Sequence, residues 1–543
     1  MKKSSFVEGT LIATVAIIIT KILGMLYVIP FVETVGPQGS ALYAYAYNIY
    51  VVFLDISAAG LPIAISKLVN EYNTLGMMDA KVRTYKIGKR LLNTISIFAF
   101  IVLMLFARDI ATLILGDLQG GNTIEDVTFV IRCISTALLV VPFLSVSKGY
   151  LQGHNIINIS SISQILEQVI RIVVILAGSY IAIKVLNLDL KIAVGISLLG
   201  ATIGGIISYI YVFIKLKAGR KEIGLGEVHP RDKVSNKEIV KKLIKYAIPF
   251  IIIDTVASIY SFINMVFISR TLNYLNYSAA NVEFITSAMT TWSGKINMVV
   301  TSIAMGMTMS LIPSIVSSFT LKNMEDVNDK VNSALQMVMV ISIPLTVGIS
   351  LLAGAVWSIF YPASSIGTIV LQTGIFVALF ANMFMITNST LQSLNRFKTV
   401  YVCTIIGFVL NAVLDVPLML LFNHIGLPAY LGATLATIIG YSLSVIIALR
   451  SLRHDYGFRY KKTFKLLLNT LVPTVAMILV VLFVKYFIPL NVTSKLSAVV
   501  YVGVIAIFGG LTYIFVGYKM GIFHQAFGEK YLNKLAKKLT LGK

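Results

Sequence analysis

The chain reads as a succession of long apolar stretches separated by short polar links. Fourteen stretches are each long enough to cross a bilayer as a helix, which takes about 20 apolar residues. Their approximate cores are 10–31, 42–66, 91–114, 127–150, 160–184, 192–214, 244–269, 284–316, 333–360, 367–391, 400–422, 429–450, 466–489 and 496–518. The pattern predicts an all-α polytopic membrane protein with about 14 transmembrane helices, and the even number puts both ends on one side. The longest polar interruption lies around 217–242 and includes Gly224, Gly226 and Pro230. It divides the chain into an N-terminal lobe of six helices (1–216) and a C-terminal lobe of six (243–455). Two further spans (456–518) and a tail (519–543) follow.

The two lobes resemble each other. Tyr150-Leu-Gln-Gly-His-Asn155 ends the fourth span, and Thr390-Leu-Gln-Ser-Leu-Asn395 ends the tenth. Gly200-Ala-Thr-Ile sits early in the sixth, and Gly432-Ala-Thr-Leu early in the twelfth. The same elements in the same order mark a parallel repeat of two pseudo-symmetric six-helix lobes, which places a substrate site at their interface near the midplane.

Composition agrees: 57% of the 543 residues are hydrophobic and 13% charged, and mean hydropathy is +0.87. A soluble protein does not bury that much apolar surface. The formal net charge of +22 would suggest nucleic acid in a soluble chain. Here the basic residues cluster in a few short links, after the second, sixth and twelfth spans, so no nucleic-acid partner is expected. All these links fall on the side of Lys2 and Lys3, while the alternate links carry acids such as Asp117, Glu125 and Asp126. Both termini are therefore expected to be cytoplasmic. Lys2 and Lys3 before an apolar run mimic a signal peptide, but no small-residue cleavage site follows, so the run is expected to stay as the first span. Cys133 and Cys403 lie far apart in apolar segments and read as small core residues. In the tail, Phe523, Phe527, Tyr531, Leu535 and Leu539 recur every fourth residue with lysines between them. That is a basic amphipathic helix suited to anionic membrane lipids, or a solvated basic tail.

Charges within the spans are few. Lys21 sits near the middle of the first, where a lysine stem cannot reach water and must face protein or a wet cavity. Two readings stand: a central cavity that binds an anion, or a structural ion pair. Lys295 lies in Trp292-Ser-Gly-Lys-Ile-Asn297 without an acidic neighbour at helical spacing, and a cavity role is favoured; Gly294 is expected to let backbone approach closely. Arg171 follows Glu167 by one turn, which favours a local ion pair. Arg270 lies near the outer end of the seventh span and either snorkels or lines the cavity. Asp55 pairs with Lys21 or couples an ion. Asp254 and Asp415 are proton or cation sites, or hydrogen-bonded structural carboxyls.

Several motifs are missing from the sequence: a G-x-x-x-x-G-K-[ST] loop, H-E-x-x-H, a His/Cys ligand cluster and a G-x-S-x-G turn. The residues thus predict a two-lobed transporter that is not an enzyme and has no cofactor, with a cation-bearing cavity.

The order of elements resembles the MOP superfamily of exporters and flippases. Within it the chain is similar to the MurJ group of lipid II flippases, in its Gram-positive YtgP/SpoVB-like branch. The residues that carry the likeness are Thr20-Lys-Ile-Leu-Gly24, Ala58-Ala-Gly-Leu-Pro-Ile-Ala-Ile-Ser66, Gly149-Tyr-Leu-Gln-Gly153, Ser163-Gln-Ile-Leu-Glu-Gln168 and Ala304-Met-Gly-Met-Thr-Met-Ser-Leu-Ile-Pro313. The resemblance implies a multi-pass protein of the bacterial plasma membrane whose lobes open alternately to either side; a monomer is expected. It implies a cationic cavity for the pyrophosphate of undecaprenyl-linked peptidoglycan precursor, with Lys21 and Lys295 in it; Arg270 and Arg171 are added as candidates from their places in the spans. The final two helices are implied to form a groove for the lipid tail. Membrane potential or an ion gradient is the implied energy source; Asp55, Glu167, Asp254 and Asp415, from their own places in the spans, are the candidate coupling or ion-pairing groups. Lys21 and Lys295 stand where the family carries basic residues; Tyr27 and Val28 occupy the place of a further one. The competing readings are a flippase for another lipid-linked glycan (teichoic acid, capsule or spore cortex) and a multidrug–cation antiporter, which the central basic residues argue against. A membrane glycosyltransferase would need an acidic metal-binding cluster.

Overall fold

The computed structural model describes residues 6–58, 60–227, 229–488 and 494–527, and every regular element among them is helical. Among the described residues, thirteen helical runs are long and apolar enough to cross a membrane, and a shorter apolar helix, Val15–Leu26, precedes them. These fourteen correspond in order to the fourteen expected spans. Most of the basic tail lies outside the described residues.

Packing divides the chain into two compact units, Met1–Thr290 and Thr291–Lys543. The first holds α1 (Phe6–Leu26), α2 (Val28–Ala58), α3 (Leu61–Thr74), α4 (Met78–Leu105), α5 (Ala107–Leu115) and α6 (Ile124–Ser135). It continues with α7 (Val141–Gly153), α8 (Ile157–Tyr180), α9 (Leu190–Ala218), α10 (Asn236–Tyr274) and α11 (Ala279–Ser287). Several expected single spans are two helices. The second span breaks at Gly60, whose φ is 41°. A β-carbon there would lie 2.3 Å from the Ala247 carbonyl oxygen, so only glycine lets α3 start against α10. The break between α1 and α2 at Tyr27 is followed by a kink at Gly36, just ahead of Pro37.

The polar segment after α9 is folded onto this unit. Asp232 Oδ2 accepts from the Ala80 amide at 2.7 Å, and the Ile223 carbonyl accepts from the Tyr150 hydroxyl at 2.9 Å. Lys242 Nζ lies 3.1 Å from Glu71. The basic link is thus a fixed cap on α3, α4 and α7, over a core that includes Ile65, Leu68, Tyr72 and Tyr150.

The second unit holds α12 (Ser293–Thr320), α13 (Met324–Leu351), α14 (Ala353–Phe360), α15 (Ser365–Ser393) and α16 (Phe397–His424). After these come α17 (Tyr430–Tyr456), α18 (Lys461–Phe487), α19 (Lys495–Lys519) and α20 (Ile522–Phe527). The pair α16–α17 meets through Gly407 and Gly440; a β-carbon on either would fall within 2.8 Å of the other's carbonyl oxygen. In hydrocarbon, such backbone approach replaces the hydrophobic drive between helices. Asn382 ties three helices together, donating to the Val300 carbonyl (3.0 Å) and Ser342 Oγ (2.9 Å). The short α20 seats Ile522 and Ala526 against Val340 and Leu466.

The repeated motif has a repeated geometry. Asn155 and Asn395 each follow a helix in the left-handed conformation, with φ of 60° and 57°. The next residue donates back in both: Ile156 to the Leu151 carbonyl at 3.0 Å, Arg396 to the Leu391 carbonyl at 2.8 Å. Asparagine is the commonest non-glycine residue in this cap, which explains why the motif ends on it twice. Cys133 and Cys403 are both free thiols.

Candidate functional site

The polar groups at membrane depth fall into separate clusters, each inside one unit. In the first unit the expected pair forms: Arg171 Nη2 donates to Glu167 Oε1 at 2.8 Å. A third member comes from another helix, since Lys148 Nζ on α7 lies 3.1 Å from Glu167 Oε2. All three side chains are mostly buried, with 14–21% of their surface exposed. Two cations on one carboxylate leave an excess positive charge. Arg171 Nε is buried with no hydrogen-bond partner. The α8 backbone is held firmly beneath this cluster, because a β-carbon at Gly204 of α9 would sit 2.7 Å from the Glu167 carbonyl oxygen. On the same helix, Gln168 lies against Gly24 of α1, one turn beyond the half-buried Lys21.

A second polar seam runs between α2 and α10. Ser258 Oγ lies 2.6 Å from Asp55 Oδ2 and 2.8 Å from the Asp254 carbonyl oxygen. Further along, Ser261 Oγ donates to Asn48 Oδ1 at 3.0 Å. The Asp254 side chain is exposed on α10.

The second unit buries Asp415 completely, with 0% of its surface exposed. Asn411 Nδ2 lies 3.3 Å from Asp415 Oδ1 and 3.1 Å from Thr437 Oγ1. Asp415 Oδ2 and Asn411 Oδ1 are left without a hydrogen-bond partner. Two buried, unsatisfied acceptor oxygens beside one another call for a proton, a cation or water. Counted from the start of each helix, Asn411 of α16 occupies the place of Arg171 in α8. The two helices thus carry a polar residue at the same position, a cation in α8 and a neutral amide in α16.

Lys295 is half-buried in the first turn of α12, directly after a π-helical segment, Ala288–Trp292. Such single π turns recur at functional positions. The Tyr361 hydroxyl donates to the Trp292 carbonyl at 2.8 Å, which fixes the start of the helix. Gly294 does not serve close backbone approach as expected: a β-carbon there would meet nothing within 4 Å, because the residue is exposed. Arg270 has a structural task. Its Nε and Nη2 donate to the carbonyls of Leu113 (2.9 Å) and Thr112 (2.8 Å), capping the C-terminal end of α5. Gly116 follows with φ 62°, and a β-carbon there would lie 1.8 Å from Arg270 Nη1.

The sequence reading missed the tertiary roles of Lys148 and Glu283. Lys148 lies near one end of its span, where it looks like an ordinary flanking lysine; no local spacing links it to Glu167. Glu283, 3% exposed on α11, accepts from the Asn122 amide at 2.5 Å. Its position at the edge of an expected span hid it, and its partner comes from the link between α5 and α6. Among the described residues, no group of three or more His, Cys, Asp or Glu side chains is placed to hold a metal.

An all-helical, multi-pass membrane protein with carboxylates and cations buried in its spans has the make-up of a secondary transporter. The family model described as "Polysaccharide biosynthesis protein" matches residues 6–316. The chain is 31% identical over 537 residues to the lipid II flippase MurJ of Bacillus subtilis (strain 168), covering 97% of each. It is 25% identical over 249 residues to stage V sporulation protein B of the same organism, covering 46% of each. Among solved structures it aligns with a lipid II flippase MurJ in an inward closed conformation at a TM-score of 0.68 and 16% identity, covering 95% of this chain and 99% of that one. An inward-facing multidrug resistance MATE family transporter of the MOP superfamily aligns at 0.65 and 16% identity, covering 82% and 98%. The fold is thus that of the MOP superfamily. Within it, the chain belongs to the MurJ family of lipid II flippases.

Proposed function

We propose that this protein is a flippase that moves lipid II, the undecaprenyl-pyrophosphate-linked peptidoglycan precursor, from the inner to the outer leaflet by alternating access. The observation that carries this reading is the near full-length relation to a lipid II flippase in a chain with basic residues at membrane depth. A pyrophosphate headgroup does not cross hydrocarbon unaided, and a cation in a low-dielectric setting attracts it strongly. Lys21 and Lys295 are assigned to that anion. Arg171, whose cluster carries excess positive charge, is a third contact. Arg270 is retained with a lesser share, since two of its donors already cap α5. Asp415 is the foremost coupling group, followed by Asp55 and Asp254; Glu167 acts by holding Lys148 and Arg171. Residues 1–216 and 243–455 are the functional repeats. Both termini face the cytoplasm of a bacterial plasma membrane, and the chain works as a monomer, without a catalytic step or cofactor, on membrane potential or an ion gradient. Inside-negative potential acts at about 2.3 kcal/mol per charge per 100 mV.

Complementation tests the assignment. A strain depleted of its own lipid II flippase should grow with this protein and fail with Lys21→Ala or Lys295→Ala at equal membrane abundance. Normal growth of both variants would remove the lysines from the site. Growth rescue of a strain lacking only another lipid-linked glycan flippase would favour that substrate instead.

A further inference from the structure

The second unit contains a polar cavity of about 870 Å³ that none of the residues assigned above lines. It lies where the start of α13 meets the corner between α17 and α18. Its size is within the range of small-molecule sites. The floor is built from amides that are almost wholly buried: Asn332 is 8% exposed and Gln336 9%. Thr463 Oγ1 donates to Asn332 Oδ1 at 2.5 Å and accepts from Gln336 Nε2 at 3.0 Å. Asn332 Nδ2 reaches the Arg459 carbonyl at 3.0 Å, and the Arg459 amide donates to Asn328 Oδ1 at 3.1 Å. These bonds fix the corner to α13, so the shape of the cavity does not depend on its charged walls.

The walls carry opposite charge. Glu325 and Asp329 stand one turn apart on α13; Arg459, Lys461 and Lys462 line the other side. Neighbouring acids do find partners: Asp326 lies 2.6 Å from Lys330, and Asp455 pairs with Arg396. The five wall residues form no ion pair among the described residues. The basic wall is also unfavourable for its own helix. Lys461 and Lys462 begin α18, where the dipole is positive, and Tyr460 supplies no side-chain cap for the open amides. A bound anion relieves both. Opposite it, the two carboxylates make a receptor for an ammonium. Immediately beyond the lysines, α18 turns apolar and outward-facing, with Phe464 63% and Leu468 48% exposed. This sets the cavity where a spanning helix leaves the hydrocarbon, at headgroup level.

We propose that the cavity is a binding site for a phospholipid whose headgroup carries both a phosphate and a primary ammonium. The phosphate sits against Arg459, Lys461, Lys462 and the first amides of α18, and the ammonium against Glu325 and Asp329. Native mass spectrometry of the purified full-length protein tests this with phosphatidylethanolamine and phosphatidylglycerol, and with soluble phosphoethanolamine as competitor. The native protein should retain phosphatidylethanolamine about tenfold better than phosphatidylglycerol, the scale of a charge-assisted contact. The double variant Glu325→Gln/Asp329→Asn should lose that preference while keeping phosphatidylglycerol. Lys461→Gln/Lys462→Gln should weaken both lipids. Equal retention by the native protein, or a preference untouched by the carboxylate variant, would overturn the proposal. So would displacement by equimolar phosphoethanolamine, which would make a soluble zwitterion the ligand.

Discussion

Glu167→Gln removes the single negative charge that holds Lys148 and Arg171 together. The carboxylate takes part in two charge-assisted contacts, at 2.8 and 3.1 Å. Contacts of this kind contribute about 1.5–3 kcal/mol each. A glutamine oxygen can still accept from one cation, so roughly one contact is lost. The two cations, now facing each other without a counter-charge, add to the penalty; breaking a fully buried pair costs about 3–5 kcal/mol. The side chains keep 14–21% of their exposure, which lowers that figure. The net expectation is a loss of about 2–3 kcal/mol. Equilibrium unfolding of the purified protein in mixed micelles measures it. A second arm sharpens the test: Lys148→Met should destabilise the native protein but be neutral or stabilising in the Glu167→Gln background, because it then removes an unpaired charge. Stability of Glu167→Gln within about 0.5 kcal/mol of native, with additive effects in the double variant, would refute the three-residue cluster.

Three further outcomes follow from the same geometry. Gly116→Val combines a left-handed backbone with a β-carbon 1.8 Å from Arg270 Nη1; it should abolish folded protein in the membrane, scored by detergent-extracted size-exclusion profile. Asn395→Ala should cost about 1 kcal/mol by unfolding in micelles, whereas Asn395→Gly should be near neutral, because the φ of 57° burdens alanine alone. Asp415→Asn should leave stability near native, since the charged form is buried beside an unsatisfied amide oxygen. It should also remove the dependence of transport on potential or ion gradient in vesicles, and a gradient dependence that persists would take Asp415 out of the coupling role.

The spans were legible because hydropathy over twenty residues is a local property. The Glu167–Arg171 pair was legible for the same reason, being one helical turn long. What the sequence left hidden is the tertiary partner. Lys148 completes that cluster from another helix, and Thr437 completes the Asn411–Asp415 group from α17. Arg270 looked like a snorkelling or cavity residue because nothing in its own helix shows that the end of α5 lies within reach. Gly294 misled for the opposite reason: glycine was read as a sign of close packing, yet the space beside it is open. The break between α13 and α14, inside one expected span, falls within a run of unbroken apolarity that hydropathy cannot divide, whereas the break between α4 and α5 has Arg108 and Asp109 just past it. The repeated Leu-Gln motif was legible as a sign of repetition, but that its asparagine caps a helix both times came only with the backbone geometry.

The central claim is that basic groups at membrane depth carry a pyrophosphate-linked lipid across the bilayer. Transbilayer movement of labelled lipid II in vesicles reconstituted with the purified protein tests it most directly. Native protein should expose the label to an external quencher well above the rate of protein-free vesicles, and Lys21→Ala and Lys295→Ala should each fall to that background. A native rate no higher than that of empty vesicles, or variants as fast as native, would contradict the account.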